Sequence, residues 1–599
     1  MAVATTLSSL LNPAPNPLGI APTFLVLGIA FHQCIRTTEI DNRIKSLLAL
    51  YSVVWLVLCA SYIYIYSAGV LYAIGFALFA ACSFNIGLTI SILVYRAFFH
   101  RLGHFPGPWD AKLSRLALVK RAINRTQYHL DLQEMHQKYG DFVRTGPREI
   151  SINRPSAVMA INGPQSSCLK APWYSHVSDD VTQISLNSTR DPQVHRRRRK
   201  AWDRGMKALP SYEPRVQHKV NALATQIRSR LNKPLDISQW TMYLAFDVMG
   251  LVGFSEDFRQ LEDGTEQAAI KELHQQMLFL GILKPAPWIL TILGFIQGLV
   301  GEYGQFMTYC ADRVGEKKEQ WKAKMADKTD DNTPKDVISW LVKALYEEDQ
   351  SAPPGHQALN EDGRLMIIAG RSVYIQSNPQ SHPFQSLRKK TPLTTFLHLS
   401  SDTTGTTLAH AIYYLTKNPH ALQALQKELD TLSTTEPFTN DKLQSLPYLD
   451  AVIKETLRLK PAVPSGQPRL TPSTGLQIDE VWIPGNTIVV IPPYVLQRDE
   501  RCFPSGEEFI PERWIDSEKR NLVKHDEAFF PFQVGRYACV GKQLALMQLR
   551  AVIARVAVEF DMGFAEGEDG VGFDRGSMDT FTFTLGELGV VFRERERGR

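Results

Sequence analysis

Two long stretches without a charged residue dominate the first hundred residues. Residues 1–35 contain no Asp, Glu, Lys or Arg, and residues 46–95 form a second uncharged run of 50 residues. A membrane-spanning helix needs about 20 apolar residues, so the second run can hold two helices with a turn near residues 67–69. We therefore predict a membrane anchor over residues 1–104, with three spans at about 16–35, 47–66 and 70–94.

Basic residues follow the first and the third predicted spans, whereas the turn between the second and third spans has none. Arg36, Arg43 and Lys45 lie between the first and second spans, and six Lys or Arg residues follow the third span between positions 96 and 121. Cytoplasmic loops carry the excess of positive charge in membrane proteins. We therefore predict a multi-pass protein of the endoplasmic reticulum membrane whose larger part faces the cytosol. The alternative, a cleaved signal peptide followed by a buried core helix, lacks the expected N-terminal basic residues.

The overall composition excludes two classes of protein. Lys plus Arg is 66 and Asp plus Glu is 61, a net charge of +5, which argues against a dedicated nucleic-acid-binding protein. Seven cysteines in 599 residues do not make a disulfide scaffold.

One cysteine has unusual surroundings. Cys539 lies in the segment FQVGRYACVG at 532–541, and an amphipathic helical pattern over 542–560 follows at once. The free N–H groups of a helix N-terminus favour a thiolate, and Gly535 and Gly541 leave room for a flat cofactor near the backbone. A thiolate can ligate haem iron. A lone cysteine is more often a small core residue, so the assignment depends on the surrounding pattern.

That pattern resembles the haem-binding loop of the cytochrome P-450 family, Phe-x-x-Gly-x-Arg-x-Cys-x-Gly. Phe532, Gly535, Cys539 and Gly541 match it, whereas Tyr537 occupies the arginine position. The resemblance implies a mainly α fold with a small β-rich region, in a catalytic domain over residues 105–599. It also implies that haem b is the cofactor and that Cys539 is the axial ligand of its iron.

Two further motifs resemble the same family. The segment from Glu455 to Arg458 is similar to its Glu-x-x-Arg motif, and FIPERW at 509–514 is similar to its Pro-Glu-Arg-Phe element. The resemblance implies that Glu455, Arg458 and Arg513 form a buried ion-pair network that holds the cysteine loop. A Glu and an Arg at positions i and i+3 would otherwise be an ordinary solvent-exposed helix pair.

Three residues correspond to haem-propionate contacts of the family. They are His195 and Arg199, four residues apart in a run of basic residues, and Arg469 in the segment QPRL. We predict that the other basic residues at 196–200 dock an acidic redox partner.

The oxygen-activation motif is interrupted. The segment SDTTGTTL at 401–408 resembles the second half of the family's Ala-Gly-x-Asp-Thr-Thr motif, which implies that Asp402 and Thr403 deliver protons during catalysis. Its first half is Ala369-Gly370, and the 30 residues between, 371–400, contain three prolines and no acidic residue. We interpret 371–400 as a retained intron or gene-model insertion inside one helix, because a helix interior cannot absorb such a segment. The alternative is a genuine loop in a split helix, which would damage the oxygen-side pocket.

The apolar segment 277–300 is either buried core or, by the resemblance, part of a channel through which a membrane-dissolved substrate enters. Ile368, Ala369 and 463–465 are the other predicted pocket-wall residues. The resemblance implies monooxygenation of a lipophilic small molecule. It also implies that electrons come from NADPH through a separate reductase, with cytochrome b5 as an optional second donor.

The anchor and the cysteine loop further resemble those of filamentous-fungal members that tailor terpenoids, polyketides or indole alkaloids in secondary metabolism. Two alternatives remain open at this point. One is an O₂-independent haem-thiolate isomerase or dehydratase. The other is an inactive haem protein, if residues 371–400 are translated.

Overall fold

The computed structural model describes residues 17–36, 44–175, 180–265, 281–286, 288–289, 301–326, 333–368, 403–432 and 438–596. The chain divides into two compact units, Met1–Ser114 and Arg115–Arg599. The segment 371–400 and Asp402 lie outside the described residues, so the interpretation of that segment stays a prediction.

The described part of the first unit contains four α-helices. They are α1 (Pro17–Ile35), α2 (Ile44–Ile65), α3 (Val70–Val94), which continues into a π-helical turn at Tyr95–Phe99, and α4 (Trp109–Leu113). The first three helices fall within three residues of the predicted spans at each end. Two apolar stretches, Ser46–Ile65 and Val70–Phe99, are long enough to cross a membrane, whereas that of α1 is shorter, Ala21–Ile35. The count of three membrane crossings therefore stays a prediction.

Helix α1 packs closely on α3 through two glycines. A side chain at Gly28 would clash with the backbone of Phe84, and one at Gly87 would clash with the backbone of Leu25. One turn further along, the Ser91 hydroxyl lies 2.8 Å from His32 Nδ1. Small residues allow helix backbones to approach in this way, and polar side chains add hydrogen bonds across the contact.

The second unit is mainly helical. The helices among its described residues are α5 (Leu116–Asn124), α6 (Tyr128–Tyr139), α7 (Ser156–Asn162), α8 (Pro192–Lys207), α9 (Leu209–Arg228), α10 (Ile237–Phe254), α11 (Gln260–Asp263), α12 (Gly301–Ala326), α13 (Val337–Tyr346), α14 (His356–Ile368), α15 (Thr403–Lys417), α16 (Pro419–Leu429), α17 (Asn440–Leu443), α18 (Pro447–Leu459), α19 (Pro493–Leu496), α20 (Lys542–Glu559) and α21 (Val571–Gly576). The helix predicted over 542–560 corresponds to α20.

The strands of this unit are short. They are β1 (Phe142–Gly146), β2 (Glu149–Ile152), β3 (Leu169–Lys170), β4 (Pro234–Asp236), β5 (Arg469–Leu470), β6 (Leu476–Ile478), β7 (Val481–Ile483), β8 (Ile488–Val490), β9 (Phe560–Phe564), β10 (Met578–Asp579), β11 (Phe583–Thr584) and β12 (Gly589–Glu594). The largest sheet has the order β1-β2-β8-β5-β3, and a second has the order β4-β12-β9. β6 pairs with β7, and β10 pairs with β11. This arrangement confirms the predicted mainly helical fold with a small β-rich part.

Helices α10 and α15 lie at the centre of the core. Nearly every residue of α10 is buried, and from Thr404 to Thr416 every residue of α15 is buried. A helix that is covered all round can be apolar on all faces, which explains why these segments lack the polar stripe of a surface helix. The helices that carry the site residues, α8, α18 and α20, also contribute side chains to this core.

Candidate haem site

The loop that carries Cys539 is closed by its own backbone. The Cys539 N–H donates to the carbonyl oxygen of Phe532 at 2.8 Å, so the two ends of the motif meet. Helix α20 begins three residues after the cysteine, with Gly541 as its N-cap. This geometry places the thiol beside the free N–H groups of a helix N-terminus, as the sequence predicted.

Cys539 is exposed, yet protein surrounds its thiol on most sides. The cysteine therefore lies in a recess. This burial raises the pKa of the thiol, and it outweighs the backbone N–H groups of Gly541 and Lys542, which lower it. The N–H groups of the helix N-terminus therefore favour a thiolate, as predicted, but desolvation of the thiol is the larger effect. A metal ion bound to the sulfur would supply the deprotonation.

The two motif glycines have different structural reasons. Gly535 has a φ of 68°, and a side chain there would clash with the backbone of Asn162 and Gly163 at the end of α7. A side chain at Gly541 would meet only the Cys539 sulfur, at 4.0 Å. Gly535 therefore serves loop packing and a left-handed turn. The predicted role of both glycines, room for a cofactor near the backbone, stays a prediction for Gly541.

Helix α8 brings two predicted propionate ligands to the cysteine loop. Its first turn is capped by Asp191, whose carboxylate accepts from Gln193 N (2.7 Å) and Val194 N (2.9 Å), and Pro192 occupies the first helical position. These are standard N-terminal signals. Their effect is to fix the start of the helix and hence the face that presents His195 and Arg199.

His195 and Arg199 both contact the loop, in different ways. The buried His195 ring packs edge-on against Tyr537, with centroids 4.9 Å apart. Burial and the surrounding cations lower the pKa of His195 to about 2, so the imidazole is neutral, and its Nδ1 has no hydrogen-bond partner among the described residues. Arg199 instead donates to the Ala538 carbonyl at 2.6 Å and pairs with Asp203 at 2.7 Å. Arg199 therefore holds the residue that precedes the cysteine.

Arg198 is not part of an exposed docking face. Its guanidinium is buried, pairs with Asp362 at 2.8 Å, and donates to the Ile184 carbonyl at 2.8 Å. The prediction that it docks a redox partner is therefore wrong, because the helical turn directs it into the core while Arg197 and Lys200 stay exposed.

Glu455, Arg458 and Arg513 lie together in a fully buried network. Arg458 makes a bidentate contact with the Glu455 carboxylate, at 2.8 and 2.9 Å, and Arg513 Nε reaches the same carboxylate at 2.9 Å. The Ile510 backbone N–H and the Trp514 indole N–H complete five donors to one carboxylate, at 3.0 and 2.9 Å. The structure thus brings together the three residues of the predicted network, with Trp514 as a member that the motifs did not indicate.

Gln497 connects this network to the cysteine loop. Arg458 donates to the Gln497 carbonyl at 2.7 Å, and the Gln497 amide donates to the carbonyls of Leu457 and Arg458 at 3.1 and 3.0 Å. Its side-chain oxygen accepts from the Phe530 N–H, at 3.3 Å, where the loop begins. Sequence reasoning missed Gln497, since an isolated glutamine carries no pattern.

Three residues of the sheet and loop form a buried cluster rich in positive charge. Arg469 lies on β5 opposite Lys170 on β3, and both side chains face the Tyr537 ring, 5.0 and 4.9 Å from its centroid. The Tyr537 hydroxyl and Arg469 Nε are buried and have no hydrogen-bond partner among the described residues. Sequence reasoning found Arg469 and missed Lys170.

On the oxygen side, the structure describes Thr403 but not Asp402. Thr403 is exposed at the first position of α15, and its carbonyl accepts from the Thr407 hydroxyl at 2.7 Å. Ala369 also lies outside the described residues, and the backbone of Ile368 ends α14. Proton delivery by Asp402 and Thr403 therefore stays a prediction.

A cavity with a mostly apolar lining lies beside the β10–β11 hairpin. Its lining includes a stacked ring pair, Trp173 on Phe581, with centroids 5.3 Å apart and planes 11° apart. Its polar wall is an ion pair, Lys284 to Asp579 at 3.1 Å, with the Ser465 hydroxyl 2.6 Å from the same ammonium. Lys284 and Ser465 belong to two of the segments predicted to line the substrate pocket.

These residues fit a haem. An exposed cysteine lies at a helix N-terminus, and two buried cations without a described carboxylate partner lie beside the Tyr537 ring. The site also contains a neutral imidazole and a phenol hydroxyl, each with an unpaired polar atom. Such a donor set suits a group that offers iron to a thiolate and carboxylates to cations and N–H or O–H donors.

Comparison with known proteins agrees with this geometry. The cytochrome P-450 family model matches residues 106–584. The cytochrome P-450 monooxygenase FCK2 of Fusarium pseudograminearum is 35% identical over 98% of this chain and 99% of its own length. The cytochrome P-450 monooxygenase orf5 of Eupenicillium brefeldianum is 36% identical over 86% of this chain and 95% of its own. Tryprostatin B 6-hydroxylase of Aspergillus fumigatus is 32% identical over 86% of this chain and 84% of its own.

These matches confirm the predicted family and the monooxygenase class, including haem as the cofactor. The chain belongs to the cytochrome P-450 family of haem-thiolate monooxygenases.

Proposed function

We propose that this monooxygenase oxidises a lipophilic small molecule in a tailoring step of fungal secondary metabolism. The observation that carries the proposal is the Cys539 loop, joined to a buried ion-pair network on one side and to a cation cluster on the other. The names of the fungal relatives, among them a tryprostatin B hydroxylase, support the secondary-metabolism assignment. When bound, haem would supply the activation of O₂.

The protein's own residues would hold the reacting centre in place. Cys539 would ligate the iron, and the Phe532 carbonyl and Arg199 would fix the loop that carries it. His195 and Arg469 would bind the propionates. Asp402 and Thr403 would pass protons from solvent to the oxygen side.

The apolar cavity beside Trp173 and Phe581 would receive the substrate. Its flat ring pair suits an aromatic or polycyclic skeleton. Lys284 and Asp579, on the polar wall, would orient a polar substituent. Terpenoids, polyketides and indole alkaloids all offer such a skeleton.

The spectrum of the reduced CO complex tests the haem-thiolate core of the proposal. We expect the native protein to show a thiolate-type Soret band and Cys539→Ser to lose it. A native protein without that band, or a band that is unchanged in the variant, would refute the assignment.

Metabolite profiling after gene deletion tests the pathway role. The deleted strain should lack an oxygenated product and accumulate a precursor that is lighter by one oxygen atom. An unchanged secondary-metabolite profile would count against the tailoring role, even if the haem-thiolate spectrum is present.

Electrons would come from NADPH through a separate cytochrome P-450 reductase, with cytochrome b5 as an optional second donor. The exposed side chains of Arg196, Arg197 and Lys200 lie on α8, the helix whose Arg199 contacts the cysteine loop. Reversing these three charges to Glu should slow reduction and weaken its dependence on ionic strength. An unchanged rate of reduction would exclude this face as the docking site.

The anchor would place the enzyme in the endoplasmic reticulum membrane as a multi-pass protein with a cytosolic catalytic domain. Its apolar helices and the flanking basic residues support this topology. Protease treatment of intact microsomes should digest the catalytic domain and leave the anchor. Protection of the catalytic domain would overturn the orientation.

The working enzyme would lack residues 371–400. Joining Gly370 to Ser401 restores one apolar helical segment with the complete Ala-Gly-x-Asp-Thr-Thr motif. We expect the mature transcript to omit this segment. An active enzyme translated from a message that encodes all 30 residues would refute the interpretation.

A further inference from the structure

Two buried cations face each other across a pair of strands near the cysteine loop. In the antiparallel pairing of β3 with β5, Lys170 is the register partner of Arg469. Their exposed fractions are 3% and 1%. Like charges directly opposite each other destabilise a sheet, and buried charges are normally paired with an opposite charge. The fold therefore keeps two cations where neither strand pairing nor burial favours them.

The hydrogen-bond partners of these two side chains are neutral groups. Lys170 Nζ donates to the carbonyls of Asn187 and Leu186, at 2.6 and 3.4 Å. Arg469 donates to the Tyr174 hydroxyl, at 3.3 Å, and to the Gln467 side-chain oxygen, at 3.1 Å. Within the described ranges, neither cation has a carboxylate at ion-pair distance. Both therefore lack the negative charge that would offset their burial.

The nearby arginine of α8 does not share this deficit. Arg198 pairs with the buried Asp362 carboxylate at 2.8 Å. The same region of the fold thus neutralises one buried cation from within the protein and leaves two for an external anion. Such selective pairing indicates a site built for carboxylates of a bound group.

Tyr537 lies close to both unpaired cations. Lys170 Nζ lies 4.9 Å and the Arg469 guanidinium carbon 5.0 Å from the centre of its ring, and its buried hydroxyl has no partner within the described residues. Position 537 is the one at which the cysteine motif of the family has arginine. A third cation there would meet two others at short range in a poorly solvated site.

We propose that Lys170 and Tyr537 together replace the arginine of the cysteine motif. Lys170 supplies the positive charge for a haem propionate from β3, and Tyr537 supplies a neutral hydroxyl donor from the loop. This inference rests on the haem-thiolate assignment made above. It also explains why the motif tolerates tyrosine here, because the charge has moved to another strand.

The rate of haem loss from the holoenzyme tests this proposal without measuring turnover. Each variant is mixed with excess apomyoglobin, and transfer of haem is followed by absorbance. Lys170→Met should release haem about ten- to a hundredfold faster than the native protein, the range expected for one hydrogen bond to a charged group. Lys170→Arg should stay close to the native rate. The matched control is Lys233→Met, the same change at an exposed lysine, which should leave the rate unchanged.

A rescue experiment separates the charge from packing. Adding Tyr537→Arg to Lys170→Met returns a cation to the motif position, so the double variant should recover near-native haem retention. A native rate in Lys170→Met, or a double variant that loses haem as fast as the single one, would overturn the proposal. If Lys170→Met yields no folded holoenzyme, recovery by the double variant supports the proposal and failure to recover refutes it.

These outcomes are distinct from failure of the haem-thiolate assignment. A native protein without the thiolate-type band would refute that assignment. A native band combined with unchanged haem loss in Lys170→Met would refute only the role of Lys170.

Discussion

Replacing Glu455 with Gln should strongly destabilise the folded, haem-loaded enzyme. The carboxylate is fully buried and accepts five N–H donors, which include two guanidinium groups that are themselves fully buried. The amide keeps the shape of the side chain and removes its charge. Arg458 and Arg513 are then left without their carboxylate, inside a region that water does not reach.

The loss in the free energy of unfolding can be worked out from the burial of the network. Removing one partner of a buried ion pair costs about 3–5 kcal/mol, because an uncompensated charge remains. A second stranded guanidinium places the effect at the upper end of that range. Native proteins are stable by only about 5–15 kcal/mol. The variant should therefore lose between about a third and all of the native free energy of unfolding.

The assay is urea denaturation of the detergent-solubilised holoenzyme, followed by the Soret band and by tryptophan fluorescence. A matched control makes the same carboxylate-to-amide change at an exposed pair. Asp526 and Arg520 are 3.0 Å apart with side chains 68% and 53% exposed. Asp526→Asn should cost at most about 1 kcal/mol.

The comparison of the two variants decides the question. If Glu455→Gln unfolds within about 1 kcal/mol of the native protein, as the control should, the network does not stabilise the fold through its charge. Glu455→Asp keeps the charge but has a shorter side chain. Its free energy of unfolding should fall between those of the native protein and Glu455→Gln.

Three further variants test other contacts of the site. Arg198→Met should lower the free energy of unfolding by about 3 kcal/mol or more, whereas Arg197→Met on the exposed face should leave it unchanged, as measured by the same denaturation. Gly535→Ala should reduce the yield of folded protein and cost about 1–3 kcal/mol, because of the positive φ and the backbone clash, whereas Gly541→Ala should spare the fold. Trp514→Phe should cost about 1.5–3 kcal/mol, the range for one hydrogen bond to a charged group, and an unchanged urea midpoint would contradict this.

Much of this site was predictable because its signals are local. The loop around Cys539, the helix that follows it and the Glu455–Arg458 spacing each lie within a few consecutive residues. The apolar N-terminal helices were equally accessible, since their uncharged runs are as long as a membrane span requires. Patterns of this kind do not depend on which distant segments meet.

The pairing of Lys170 with Arg469 shows the limit of such reasoning. Each strand has only two residues, and the pairing joins positions about 300 residues apart. Gln497 acts in the same way, by connecting α18 to the cysteine loop through contacts that no spacing indicates. The burial of Arg198 does have a local signal. His195, Arg198 and Trp202 recur at intervals of three and four residues and mark one buried face of α8.

The glycine contact between α1 and α3 bears on how the enzyme can be shortened for expression. In a chain that begins after α1, the surface of α3 around Gly87 and the Ser91 hydroxyl would lose the helix that packs on them. Small-residue grooves in a lipid environment associate with other helices, so such a chain is expected to aggregate in detergent or to pair with a second copy. Removing all of residues 1–114 avoids this problem, because α1, α2 and α3 then leave together.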